Sequence, residues 1–174
     1  MSDPELPVLP VPPLAPFLLE LLDCVCDTIA EFGQGPVCWC GIYPGSSVSW
    51  EYCGNCSDDM CGMAYIRPGD ASPYQIFPAA EIDASCAWPL VHAVEVGIVR
   101  CMPTMEEDGT LPDAQTVTDA ALGMVLDQMA LHRAIRCCVK DSVDAVGLGS
   151  WTPVGPAGNC HAGFWTIYVD PTNG

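Results

Sequence analysis

The sequence predicts an α+β domain, a mostly antiparallel sheet with two helices packed on it. Two stretches repeat their apolar residues at helical spacing, and several short runs have the composition or the period-two alternation of strands. Pro and Gly residues punctuate the joins between them. Size agrees with this: 174 residues, half of them apolar, can bury one core of ordinary extent. Residues 14–170 are therefore assigned to a single domain, and the Pro-rich residues 1–13 to an extended arm outside it.

Pro16 suits a first helical turn and Gly33 a helix stop. Between them Phe17, Leu18, Leu21, Leu22, Val25, Ile29 and Phe32 follow helical spacing, with Glu20, Asp23, Asp27 and Glu31 on the opposite face. Residues 37–43 and 48–53 read as strands joined through Pro44-Gly45-Ser46-Ser47 as a hairpin, and 63–67 as a third strand. Residues 68–87 read as a long loop, broken by Pro68, Gly69, Pro73 and Pro78. A loop of that length in a compact domain is usually functional or interfacial. Its Tyr74, Ile76, Phe77 and Ile82 have no place in a sheet, which makes them candidates for a subunit interface. Residues 92–101 alternate as a strand. Residues 112–138 form the second helix, with Val117, Ala121, Met124, Leu131 and Ile135 as its buried stripe, widened by Leu122, Leu126 and Met129. Arg133, Arg136 and Lys140 sit late in it, as the helix dipole prefers. Residues 147–158 read as a Gly/Pro loop and 164–169 as a last strand.

Twenty-two acids against five bases leave a net charge of −17, and no Lys or Arg precedes Arg67. A nucleic-acid grip or an anionic-membrane patch needs clustered positive charge, so both are disfavoured. No apolar run approaches the roughly 18 residues of a membrane span. The first residues are acidic where an export signal would be basic.

Twelve cysteines make a crosslinked or metal-bound framework the natural expectation. Cys38-x-Cys40 and Cys53-x-x-Cys56 could give one zinc four thiolates, with Cys61 in reserve. Disulfides are the favoured reading. They are expected among Cys38, Cys40, Cys53, Cys56 and Cys61, and among Cys86, Cys101, Cys137 and Cys138; Cys160 is a further candidate. Adjacent Cys137 and Cys138 point apart on a helix, so at most one faces a given partner. His92, His132 and His161 fall on a strand, a helix and a Gly-rich loop, and no catalytic pair with a cysteine is indicated. The loop 155–160 lacks the GK[ST] of a phosphate cradle. Glu106-Glu107-Asp108-Gly109 lacks the alternating acids of a calcium loop. No catalytic residue, cofactor site or metal site is assigned, and an enzyme is not expected.

Residues 94–103 (VEVGIVRCMP), the helix end 134–138 (AIRCC), 149–160 (GSWTPVGPAGNC) and 163–169 (GFWTIYV) together resemble the head-to-tail connector proteins of long-tailed phages infecting actinobacteria, the tail terminator foremost. Cys38-x-Cys40, the turn at Pro44-Gly45 and Trp50 fit the same pattern less specifically. The resemblance spans most of 35–169 and leaves the arm outside. It implies a structural virion protein, a homo-oligomeric ring, typically of six subunits, on the head-proximal end of the tail tube. Such a ring ends tube growth and joins tail to head. Its partners would be itself, the tail tube protein and the stopper or connector ring, with DNA passing only in transit and no membrane involved. A protein made in the host cytoplasm and then held in a virion could form its disulfides after lysis. The competing readings are a head-to-tail stopper or adaptor ring and, from another class, a small zinc-binding or thiol-redox protein.

Overall fold

The computed structural model describes residues 14–50, 62–73, 90–105, 108–138 and 145–170. Helix α1 (Leu14–Phe32) is followed by strands β1 (Trp39–Ile42), β2 (Met63–Pro73) and β3 (Leu90–Cys101). Helix α2 (Ala114–Cys138) and strands β4 (Ala145–Ala157) and β5 (Cys160–Val169) complete the order. The strands form one sheet in the order β1-β2-β3-β5-β4. Its β1–β2 pair is parallel and its other three pairs are antiparallel. This is the α+β architecture with a mostly antiparallel sheet that the sequence predicts.

Strand alternation divides the sheet between two cores. Ala64, Ile66, Val94, Val96, Ile98, Ile167 and Val169 face the helices and pack with Phe17, Leu18, Leu21, Val25 and Ile29 of α1 and with Leu131, Ala134 and Ile135 of α2. Met63, Tyr65, Val99, Cys160 and Ala162 face the other way, under Trp39, Tyr43, Val48, Trp50 and Phe164. Burial raises the Tyr65 hydroxyl pKa far above its usual value, and the nearby Glu95 carboxylate adds to that.

Helix α1 follows its pattern. Phe17, Leu18, Leu21, Val25 and Ile29 are buried, Leu22 is partly buried and the terminal Phe32 is exposed, while Glu20, Asp23, Asp27 and Glu31 all face solvent. The helix closes where the Gly33 N–H donates to the Ile29 carbonyl at 3.1 Å. Asp113 caps α2, its carboxylate accepting from the Thr116 N–H at 2.9 Å and the Thr116 hydroxyl at 3.0 Å. Those bonds hold the Asp113 carboxyl below its ordinary range.

Three sequence expectations are corrected. Within the described residues the hairpin expected of 37–43 and 48–53 is not formed: β1 runs parallel to β2, and 43–50 folds over the far face of the sheet, while 51–53 lie outside the described residues. The Ser49 N–H donates to the Tyr43 hydroxyl there at 3.0 Å. A Pro-Gly turn between two β-type runs does not determine which strand each run pairs with. Residues 68–73 of the expected loop are strand, because β2 continues through a bulge between Pro68 and Ala71 and stays paired with β3 to Pro73; residues 74–87 lie outside the described residues. The Gly/Pro loop expected at 147–158 is mostly strand β4. It pairs with β5 through three register shifts and turns at Gly158-Asn159, with Gly158 at φ +59°. An edge strand tolerates prolines that an inner strand would not, since one side of its ladder is open. Gly163 on β5 leaves room for the Trp151 ring, which a Cβ there would strike.

Helix α2 buries Leu131 and Ile135 of its expected stripe and partly buries Val117 and Met124, but the stripe is widened by other residues than expected. Gly123, Asp127, Ala130, Leu131, Ala134 and Ile135 are its buried residues. The expected stripe residue Ala121 faces solvent, and so do Leu122, Leu126 and Met129. Small residues and one acid line the centre of the inner face, so that α2 can close over an arginine from the sheet.

Candidate functional site

That arginine is Arg100, at the end of β3 on the helix-facing side. Its Nε donates to Asp127 Oδ2 at 2.9 Å and its Nη2 to Asp127 Oδ1 at 3.2 Å. Its remaining N–H groups reach the Gly35 carbonyl at 2.8 Å and the Pro36 carbonyl at 3.2 Å. Asp127 also accepts from the Gln34 backbone N–H and from Gln34 Nε2, each at 2.9 Å. Asp127 is fully buried and Arg100 nearly so. One buried ion pair thus ties β3, α2 and the turn after α1 together, with both carboxylate oxygens and the guanidinium fork occupied. The arrangement is fully satisfied and offers no lone pair for a reaction.

His161, opposite Arg100 across the β3–β5 ladder, lies beside this pair. Burial lowers its pKa from 6.5; the Asp127 charge opposes that shift and the Arg100 charge adds to it. A histidine depressed in the folded state binds its proton more readily in the unfolded chain. Its contribution to stability is therefore complete above the unfolded pKa, near 6.5, and is lost as pH falls through the folded value. The urea midpoint is expected to drop as pH falls from 7 toward 5, and His161→Gln is expected to flatten that slope. An unchanged slope in the variant would remove His161 from the acid response.

Two bonds join α1, whose cysteines fall outside the expected groups, to one member of each group. Cys24 of α1 is bonded to Cys138 at the end of α2, and Cys26 of α1 to Cys40 of β1. Cys38, Cys101 and Cys160 are disulfide-bonded as well. Cys137 is exposed and free, which removes it as a disulfide candidate. The reason is geometric: α1 lies antiparallel to α2, and residues two apart on a helix point about 200° apart. Cys24 therefore meets α2, while Cys26 meets the sheet. These two cysteines of α1 were absent from the sequence-based candidates. Their even spacing within an otherwise buried amphipathic helix was the available signal. A zinc site built on Cys38, Cys40, Cys53 and Cys56 is corrected by the same bonds, because a disulfide sulfur is no thiolate ligand.

Cys53, Cys56, Cys61 and Cys86 lie outside the described residues. So do the interface candidates Tyr74, Ile76, Phe77 and Ile82 and the arm 1–13. Among the described residues no group of three or more His, Cys, Asp or Glu converges on a common point. No described helix is long and apolar enough to cross a membrane. A depression of about 440 Å³ lies between the 45–46 turn and the β2–β3 ladder, beside Arg67, Asp70, Glu95 and Thr166. Arg67 is paired with Glu95 there and donates to the Gly45 carbonyl at 3.2 Å, so its guanidinium is already engaged. His132 stacks at 5.3 Å from the Trp165 ring, and the Trp165 indole N–H donates to the Gln128 carbonyl at 3.1 Å. These contacts hold α2 on the sheet.

What the molecule presents outward is more informative than its depressions. Leu122, Val125, Leu126 and Met129 on α2 are 58%, 48%, 50% and 63% exposed. The acids of α1 form a separate solvent-facing ridge. The chain matches no protein-family model and no curated protein.

Proposed function

We propose that this chain is a structural subunit of the head-to-tail junction of a long-tailed phage, the tail terminator in the first reading. Identical subunits, six by the resemblance, would form a ring on the head-proximal end of the tail tube. The ring would end tube growth and present the surface on which the stopper ring of the head docks. It carries out no chemistry of its own, and its place is the virion.

The observation that carries this reading is the layout of charge on a crosslinked fold. The two arginines of the sheet are engaged internally, Arg67 with Glu95 and Arg100 with Asp127. The acids at 20, 23, 27 and 31 are all turned to solvent. A confined channel lined by such subunits repels phosphate and lets a genome slide, because a ring multiplies the field of each subunit. Disulfides joining α1 to both α2 and β1 suit a protein that must survive outside the cell.

Negative-stain electron microscopy of the purified chain, alone and with tail tube subunits, tests the proposal. Rings that cap tube ends are expected. Rings that bind the portal-adaptor side and ignore tubes would assign the chain to the stopper instead, and an absence of rings under all conditions would overturn both. Mobility shifts at low salt are expected to show no retention of duplex DNA. Salt-sensitive binding would contradict a repelling channel.

A further inference from the structure

On the outer face of α2, Asp119, Leu122, Leu126, Met129, Arg133 and Arg136 recur at alternating spacings of three and four, and all six are exposed. That is the spacing of a coiled-coil seam, and Val125 broadens its centre. The seam runs about 26 Å along the helix. A surface helix of a monomer keeps its large apolar residues inward. Here the inner face carries Gly123, Asp127, Ala130 and Ala134 beside Leu131 and Ile135, yet Leu122, Val125, Leu126 and Met129 still point out.

We infer that this seam docks on the same seam of a second copy, the two α2 helices packing antiparallel about a two-fold axis near Leu126. Charge selects the occupant and the direction. Asp119 lies seven residues before Leu126 and Arg133 seven residues after it. An antiparallel pair centred there sets each Asp119 level with the other copy's Arg133 and each Leu122 within one residue of the other's Met129. A parallel pair would set Asp119 on Asp119 and Arg133 on Arg133, which is repulsive. The seam also carries one acid and two bases in a chain of net charge −17. The seam's own charges thus do not add to the repulsion between two such chains. Arg133 is held on exposed surface by α1, its guanidinium 4.1 Å from the centre of the Phe32 ring, and Asp119 accepts from Gln115 Nε2 at 2.8 Å.

This contact is isologous, whereas a closed ring joins two different faces. The inference therefore does not rest on the ring reading.

Sedimentation equilibrium of the oxidised full-length chain tests it, with far-ultraviolet circular dichroism and the disulfide count confirming that each variant is folded. Reversible pairing is expected, of single chains or, where rings form, of rings. Leu126→Glu buries a charge at the centre of the seam and is expected to weaken the dimer by about 100-fold or more. Arg133→Asp alone is expected to weaken it about tenfold, and adding Asp119→Arg to restore it, since the swap re-forms both cross-pairs. A monomer at all concentrations would overturn the inference, as would a dimer indifferent to Leu126→Glu. Failure of Asp119→Arg to rescue Arg133→Asp would overturn the antiparallel register. Rings forming normally with Leu126→Glu while wild type shows no dimer would sink this inference and leave the ring reading intact.

Discussion

Replacing Asp127 with alanine is expected to destabilise the fold by about 3–5 kcal/mol, the usual cost of stranding one member of a buried ion pair. The loss is not that of one contact. Arg100 would keep its bonds to the Gly35 and Pro36 carbonyls, but its charge would lie buried without a counter-ion. Gln34 would lose the acceptor for both its backbone N–H and its side-chain amide. In a chain of this size the melting temperature should fall by about 10 °C or more. Asp127→Asn, which keeps the shape and one acceptor, should cost less than alanine but still leave the arginine charge unbalanced. Replacing Arg100 and Asp127 together with apolar residues should recover part of the loss, because no unpaired charge then remains. Urea denaturation of the four proteins decides the matter. A midpoint for Asp127→Ala equal to wild type would show that the pair holds nothing together.

Removing the bond between Cys24 and Cys138 is expected to cost more than removing the one between Cys26 and Cys40. The two close loops of very different length, with sequence separations of 114 and 14. In the chain-entropy account a longer loop restricts the unfolded chain more, which amounts to about 4–5 kcal/mol for the first bond and about 3 kcal/mol for the second. Paired substitutions to alanine, measured without reductant, give the comparison. The opposite order would mean that native packing around the bonds, and not restriction of the unfolded chain, sets their value.

Much of the fold was legible in the sequence. Helix α1 could be read from Phe17 to Gly33 because burial of one face and exposure of the other impose the helical period on residue type. Strand β3 could be read because alternate residues face two different environments. Strand β4 was obscured by its prolines and glycines, which an edge strand accepts through bulges and an open ladder. The parallel partnering of β1 was obscured because a run of β-type residues carries no mark of its neighbour.

The candidate surfaces divide in the same way. The acidic ridge of α1 follows directly from the positions of Glu20, Asp23, Asp27 and Glu31. The outward seam of α2 does not, since Leu122, Leu126 and Met129 read equally well as core. Their exposure depends on Asp127 turning inward to meet Arg100, a residue 27 positions earlier on another element.

From the sequence alone come the class of fold, the two helices, the strong negative charge and the expectation of disulfides. Each of these depends on composition or on a period within one segment. Tertiary structure decided which cysteines meet, which face of α2 is buried and which strand lies beside β1. Those depend on distances between residues far apart in the chain, and no local pattern of side chains encodes such a distance.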